Sequence, residues 1–144
     1  MTRLVLIRGL PGSGKSTYAK KLDCIHYEAD QFFETEAGEY VYDITLIAVA
    51  HDWCFSKTVR ALRRGHDVVV SNTFTKLWEL NRYLEIPAML PDVEIEIVEM
   101  KTQYGTIHNV PADKLAIMAA RWEEISDACI EVQGLDITVI GPNQ

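Results

Sequence analysis

Between a short apolar run and a helical stretch lies Gly9-Leu10-Pro11-Gly12-Ser13-Gly14-Lys15-Ser16-Thr17, which fits the phosphate-binding pattern G-x-x-x-x-G-K-S/T. No other stretch narrows the possible folds as much, because the pattern works only between a strand and a helix. Arg3-Leu4-Val5-Leu6-Ile7-Arg8 suits a buried strand, and Tyr18-Ala19-Lys20-Lys21-Leu22 reads as the first turns of a helix. Gly9, Gly12 and Gly14 can take backbone angles closed to other residues, so successive N–H groups turn inward on one oxyanion. A helix starting near Lys15 adds unpaired N–H groups and its positive dipole end. Lys15 places a point charge on the β- and γ-phosphates, and the Ser16 hydroxyl is the expected Mg²⁺ ligand. The loop from Gly9 through Ser13 to Thr17 is thus expected to hold a nucleoside triphosphate.

The 144 residues, 48% of them hydrophobic, suffice for one compact domain spanning 1–144. A net charge of −7 argues against a broad nucleic-acid-coating surface, though not against a local basic groove. Cys24, Cys54 and Cys129 are odd in number, far apart and without a C-x-x-C pair. That usage points away from disulfides or a zinc site and toward a reduced, cytoplasmic setting. Nothing at the N-terminus reads as a signal peptide, and the longest apolar stretch, Ile44 to Ala50, is too short to cross a bilayer.

Along the chain, Cys24 to Ala29 reads as a second strand ending at Asp30, followed by an acidic and aromatic connection to Tyr42. Asp43 is a plausible N-cap for a long helix to Arg64, with Leu46, Ala50, Trp53 and Cys54 on one face and Gly65 as its stop. Asp67-Val68-Val69-Val70 has the uninterrupted β-branched character of a parallel strand buried on both faces, and leads into Ser71-Asn72-Thr73. A helix is expected over Lys76 to Met89, shortened or bent by Pro87. Val93 to Val98 alternates strictly, which suggests an edge strand with one wet face. Pro111 opens a helix carrying Leu115, Met118, Ala119 and Trp122 on its apolar side, and Leu135 to Ile140 could be a last strand. Strands alternating with helices give an α/β three-layer fold with a mostly parallel sheet.

Ligands bind such sheets at the carboxyl ends of the strands, which selects the glycine loop, Asp30 and Ser71-Asn72-Thr73. Asp30 is the carboxylate expected to accept a proton from an acceptor hydroxyl; Glu28 is read as solvated. Asn72 and Thr73 stand where many such proteins hold a Mg²⁺-bound water, although both are also ordinary turn formers. Phosphoryl transfer also wants cations on the migrating group. The stretch from Lys101 to Asn109, where a lid would fall, contains no Arg, leaving Arg82, Lys101 and Arg121 as substitutes. Trp53, Trp78 and Trp122 read as core rather than as a stacking platform, and His51 and His108 are too isolated for a metal pair.

These stretches together resemble the small P-loop kinases related to the kinase domain of phage polynucleotide 5'-hydroxyl kinase. Gly9 to Thr17 is similar to that family's P-loop, and Ala29-Asp30-Gln31-Phe32-Phe33 to its second-strand motif, whose Asp is the general base in the polynucleotide kinases. Gly38 to Asp43, Ala50-His51-Asp52-Trp53, Ser71-Asn72-Thr73, Trp78-Glu79-Leu80 and His108-Asn109-Val110-Pro111 follow in the family's order. Phe33 stands where the polynucleotide kinases carry a substrate-binding Arg, and Asn72 where some members have an acid. The resemblance implies a three-layer P-loop kinase fold, with ATP and Mg²⁺ serving phosphoryl transfer to a nucleic-acid end or a nucleoside-like hydroxyl. The alternative is an ATP-binding or slow ATPase module working through a protein partner. A nucleoside monophosphate kinase fits poorly, because the connection after Asp30 offers Glu34, Glu36 and Glu39 instead of arginines.

Overall fold

A computed structural model describes residues 1–101, 112–125 and 135–141. Five strands, β1 (Thr2–Gly9), β2 (Ile25–Tyr27), β3 (Val68–Asn72), β4 (Val93–Met100) and β5 (Asp136–Ile140), form one sheet in the order β2-β3-β1-β4-β5. Every pairing is parallel, with Leu4 beside Val68 and Ile95, and Arg8 beside Asn72 and Glu99. The helices are α1 (Lys15–Lys20), α2 (Ile47–Arg63), α3 (Trp78–Leu84), α4 (Ile86–Met89) and α5 (Ala112–Arg121).

The apolar runs of β1 and β3 are continuous because both faces are covered. Leu4, Leu6, Val68, Val70, Ile95 and Ile97 point into one core, shared with Ala50, Cys54 and Leu62 of α2 and with Leu80 and Tyr83 of α3. Val5, Ile7, Val69, Val98 and Met100 point the other way, onto Ala19 of α1. The result is the three-layer α/β P-loop fold, with α1 on one side and α2 and α3 on the other.

Several local expectations shift. The second strand stops at Tyr27, and Ala29–Phe33 is a 3-10 helix, so Asp30 sits in a turn beyond the strand. Asp43 caps a 3-10 turn, accepting from Thr45 N at 3.0 Å; α2 proper begins at Ile47, which leaves Leu46 exposed. Its other end is closed by Gly65 at φ 84, with Gly65 N bonded to Leu62 O at 2.9 Å and His66 N to Ala61 O at 3.1 Å. The helix over 76–89 is two pieces broken before Pro87. Trp78, expected in the core, is 68% exposed on the first turn of α3.

β4 is not an edge strand, since it lies between β1 and β5. Its alternation has a local cause: β5 pairs only from Glu96 onward, and α1, six residues long, packs near the other end. Glu94 is therefore exposed, whereas Val98 and Met100 on the same face are buried. Cys24 and Cys54 are free thiols; Cys129, Pro111 and residues 102–109 of the expected lid, with His108, lie outside the described residues. Among the described residues no helix is long and apolar enough to cross a membrane.

Candidate functional site

β1 delivers the glycine loop at its carboxyl end. Gly12 and Gly14 have φ of 82 and 90, the left-handed region where a side chain is strained. Gly9 is required by close approach: a Cβ there would come within 2.5 Å of Ser13 Oγ and 2.9 Å of the Met100 carbonyl. Among the described residues Ser13 Oγ is buried against Gly9 and has no hydrogen-bond partner, a polar atom within the loop that a phosphate oxygen could satisfy. Lys15 folds back so that Nζ donates to Leu10 O at 3.1 Å. Burial pulls its ammonium from 10.5 down to about 8, against the opposing fields of Glu28 and Asp30. A partly dehydrated ammonium at a glycine loop leading into a helix fits a triphosphate.

A second group of residues meets the loop from β2 and β3. The Ser16 hydroxyl donates to Glu28 Oε1 at 2.6 Å. His26 Nε2 lies 3.1 Å from the same oxygen and 2.6 Å from Ser71 Oγ. Burial pushes the Glu28 carboxyl up, but the bonds from His26 and Ser16 outweigh it and hold the group below the usual carboxylate range. Glu28 is therefore not a solvated surface acid, and sequence reasoning misjudged it. The available signal was the period of two, which puts His26 and Glu28 on one side of the chain as it leaves β2. Two oxygen donors of this kind, a hydroxyl and a carboxylate, suit Mg²⁺, which takes few protein ligands and completes its shell with phosphate oxygens and water.

Asp30 is exposed in the turn beyond β2, and its Oδ1 accepts from the Tyr40 hydroxyl at 3.2 Å. Partial burial and the Asp30 charge push Tyr40 up to about 12. Asp30 lies near enough to Lys15 for its charge to act on the ammonium, as does Glu28, which is bonded to Ser16. Asn72 braces that turn: its Oδ1 accepts from Ala29 N at 3.0 Å, and its Nδ2 faces Cys54 Sγ at 3.9 Å. Thr73 meets the loop through its backbone, its carbonyl accepting from Gly9 N at 3.2 Å.

Of the three candidate cations, two are held in ion pairs. Arg82 pairs with Asp52 at 3.0 Å and lies over the Phe55 ring. Lys101 pairs with Glu124 at 2.6 Å, and Arg121 is exposed at the end of α5. Sequence reasoning passed over the cation buried beneath the site. Arg8, fully buried and one residue before Gly9, donates to Glu99 Oε2 at 2.8 Å and to the carbonyls of Phe74, Thr75 and Glu123. Trp122 covers its guanidinium at 3.8 Å.

The sequence profile of the family AAA_33, an AAA domain, matches residues 4–115. The chain belongs to that family. Among curated proteins this AAA_33 chain is similar to human NEDD4-binding protein 2, 26% identical over 134 residues, which cover 83% of this chain and 8% of that one. Of solved structures, one resembling it is the Pnkp1/Rnl/Hen1 complex, with a TM-score of 0.57 at 15% identity over 99% of this chain and 47% of the other. A sugar kinase from a Janibacter species superposes with a TM-score of 0.62 at 16% identity, covering 96% and 86%. The chain thus spans under half the length of the first two proteins. At such identities the structural likeness establishes the fold, that of small P-loop kinases.

Proposed function

We propose that this AAA_33 domain is an ATP- and Mg²⁺-dependent phosphotransferase that moves the γ-phosphate of ATP to a hydroxyl. The observation that carries the reading is a pair of carboxylates around Lys15 with different surroundings: Glu28 bound to Ser16, and Asp30 exposed and accepting from a hydroxyl. The backbone of Gly12 to Ser16 and the Lys15 ammonium would grip the β- and γ-phosphates. Ser16 and Glu28 would hold Mg²⁺, which when bound neutralises phosphate charge. Asp30 would orient the acceptor by taking its hydrogen bond. As the acceptor oxygen bonds to the γ-phosphorus, the bond to the β,γ-bridging oxygen breaks. ADP leaves with that electron pair, and the acceptor proton passes to Asp30.

The acceptor class we propose is a nucleic-acid 5'-hydroxyl or a nucleoside-like alcohol, supported by the resemblance to polynucleotide kinases and by the Pnkp1-containing neighbour. One observation favours a second reading, an ATP-binding or slow ATPase module acting through a protein partner: Arg82 and Lys101 are already held in ion pairs. Incubation with γ-labelled ATP and a panel of hydroxyl acceptors separates the two. Label should reach an acceptor, Lys15→Ala should remove it, and Asp30→Asn should slow it by about 10²–10⁴-fold while leaving ATP affinity unchanged. Label found only in free phosphate would overturn the transferase.

A further inference from the structure

After Phe33 the chain doubles back. Thr35 N bonds to Glu39 O at 2.7 Å, Val41 N to Phe33 O at 2.8 Å, and Glu34 pairs antiparallel with Tyr40. Tyr40 and Tyr42, two residues apart on this extended return, stand on the same side. Their rings are nearly parallel, 19° apart with centroids at 6.4 Å, and both rest on the buried Phe33 ring at 6.1 and 5.2 Å. Tyr40 is nonetheless 54% exposed and Tyr42 45%. Two large aromatic rings resting on a core residue, yet left open to water, form a stacking surface.

Its position gives it a role. The Tyr40 hydroxyl donates to Asp30 Oδ1, which is the hydrogen bond an acceptor alcohol must make before transfer. The aromatic surface therefore begins where the acceptor hydroxyl ends. Its surroundings decide which aromatic acceptor fits. Glu34, Glu36 and Glu39 are all exposed on the same hairpin, against one cation at the rings, Lys114, whose ammonium lies 6.0 Å from the Tyr42 centroid, so a strand of phosphates would still meet a net like charge.

We infer that the Tyr40–Tyr42 pair is the acceptor-binding surface and that it selects an uncharged aromatic alcohol, a free nucleoside, over a nucleic-acid end. This rests on the phosphotransferase reading. The nucleobase stacks on Tyr42 and the sugar hydroxyl takes the place of the Tyr40 phenol at Asp30. Transfer then proceeds as above: the sugar oxygen bonds to the γ-phosphorus, ADP departs with the bridging electron pair, and Asp30 receives the proton. Phe33 supports the two rings from the core side.

The test uses the full chain, γ-labelled ATP and three acceptors: adenosine or cytidine, a 5'-hydroxyl oligonucleotide, and a hexose. Nucleosides should be labelled in preference. Tyr42→Ala should raise the nucleoside KM by about 5- to 100-fold, the range for losing one stacked base, with kcat and the KM for ATP little changed. Tyr42→Phe, which keeps the ring, should recover most of that loss. Tyr42→Leu keeps Phe33 covered and should behave like Tyr42→Ala, with ATP binding by calorimetry confirming that each variant is folded. Preferential labelling of the oligonucleotide or the hexose, or a nucleoside KM indifferent to Tyr42→Ala, overturns the inference and leaves the phosphotransferase standing. If ATP binds but no acceptor is labelled, the phosphotransferase reading falls and takes this one with it.

Discussion

Replacing Lys15 by methionine should stabilise the nucleotide-free protein while abolishing nucleotide binding. The ammonium falls from 10.5 to about 8 mainly through burial. At ~1.4 kcal/mol for each tenfold change, that drop corresponds to at most about 3–4 kcal/mol, a ceiling because Lys15 keeps some contact with water. At pH 7 the lysine is charged in both folded and unfolded chains, so the full burial cost weighs on the folded state. Between about 8 and 10.5 the unfolded chain still binds the proton while the folded one releases it, so stability rises with pH in that window. Methionine matches the linear stem and carries no charge. It forfeits only the charge-assisted bond from Nζ to Leu10 O, worth ~1.5 kcal/mol, leaving a net gain of about 2 kcal/mol at pH 7. For a chain of this length that raises the Tm by about 4–8 °C. Urea unfolding of both proteins without nucleotide, at steps from pH 7 to 10, measures the gain and its decay. A Lys15→Met protein no more stable than the parent at pH 7, or a gap that does not narrow above pH 8, would refute the reasoning.

Two further outcomes follow from the buried polar groups. Arg8→Leu strands the Glu99 carboxylate in the core and should lower stability by about 3–5 kcal/mol in urea unfolding; adding Glu99→Leu should restore only part of it, because the carbonyls of Phe74, Thr75 and Glu123 still lose their donor. A single-variant loss below ~1 kcal/mol would contradict the burial described. Glu28→Gln should weaken the stimulation of ATP binding by Mg²⁺ about 10- to 100-fold, read by calorimetry, while metal-free ATP binding holds; equal Mg²⁺ dependence in both proteins would remove Glu28 from the metal site.

What the sequence disclosed was what short-range chemistry controls. The glycine loop was legible because the demands on Gly12 and Gly14 are local backbone demands, and Gly65 ended α2 for the same reason. The uninterrupted apolar runs of β1 and β3, set between helical stretches, carried the three-layer arrangement. Sheet order did not follow so directly: the alternation in β4 mimicked an edge because its first three residues extend past β5. Arg8 looked like the polar end of an apolar run, since its partners lie 66, 91 and 115 residues away and nothing near it in sequence announces them. Glu28 was obscured in a similar way. It and Asp30 are two residues apart in similar company, and only the fold sends one to Ser16 and the other to Tyr40.

That divergence depends on how rigidly the strand ends are held, and Arg8 explains why a charge is buried there at all. An ion pair in the interior adds little to stability that apolar residues could not supply. Apolar residues cannot, however, donate to three carbonyls at once. The Arg8 fork takes Phe74 O through two nitrogens at 3.0 and 2.8 Å, and Phe74 is the one described non-glycine residue with positive φ, at 45. Arg8 thus holds a strained turn directly after β3 while itself standing one residue before Gly9. On the other side of that turn, Asn72 fixes the amide of Ala29 and with it the 3-10 helix bearing Asp30. The loop that would grip the phosphates and the carboxylate that would meet the acceptor are set against each other through this one continuous set of hydrogen bonds. A catalytic geometry that tolerates little displacement needs that kind of support more than it needs extra stability.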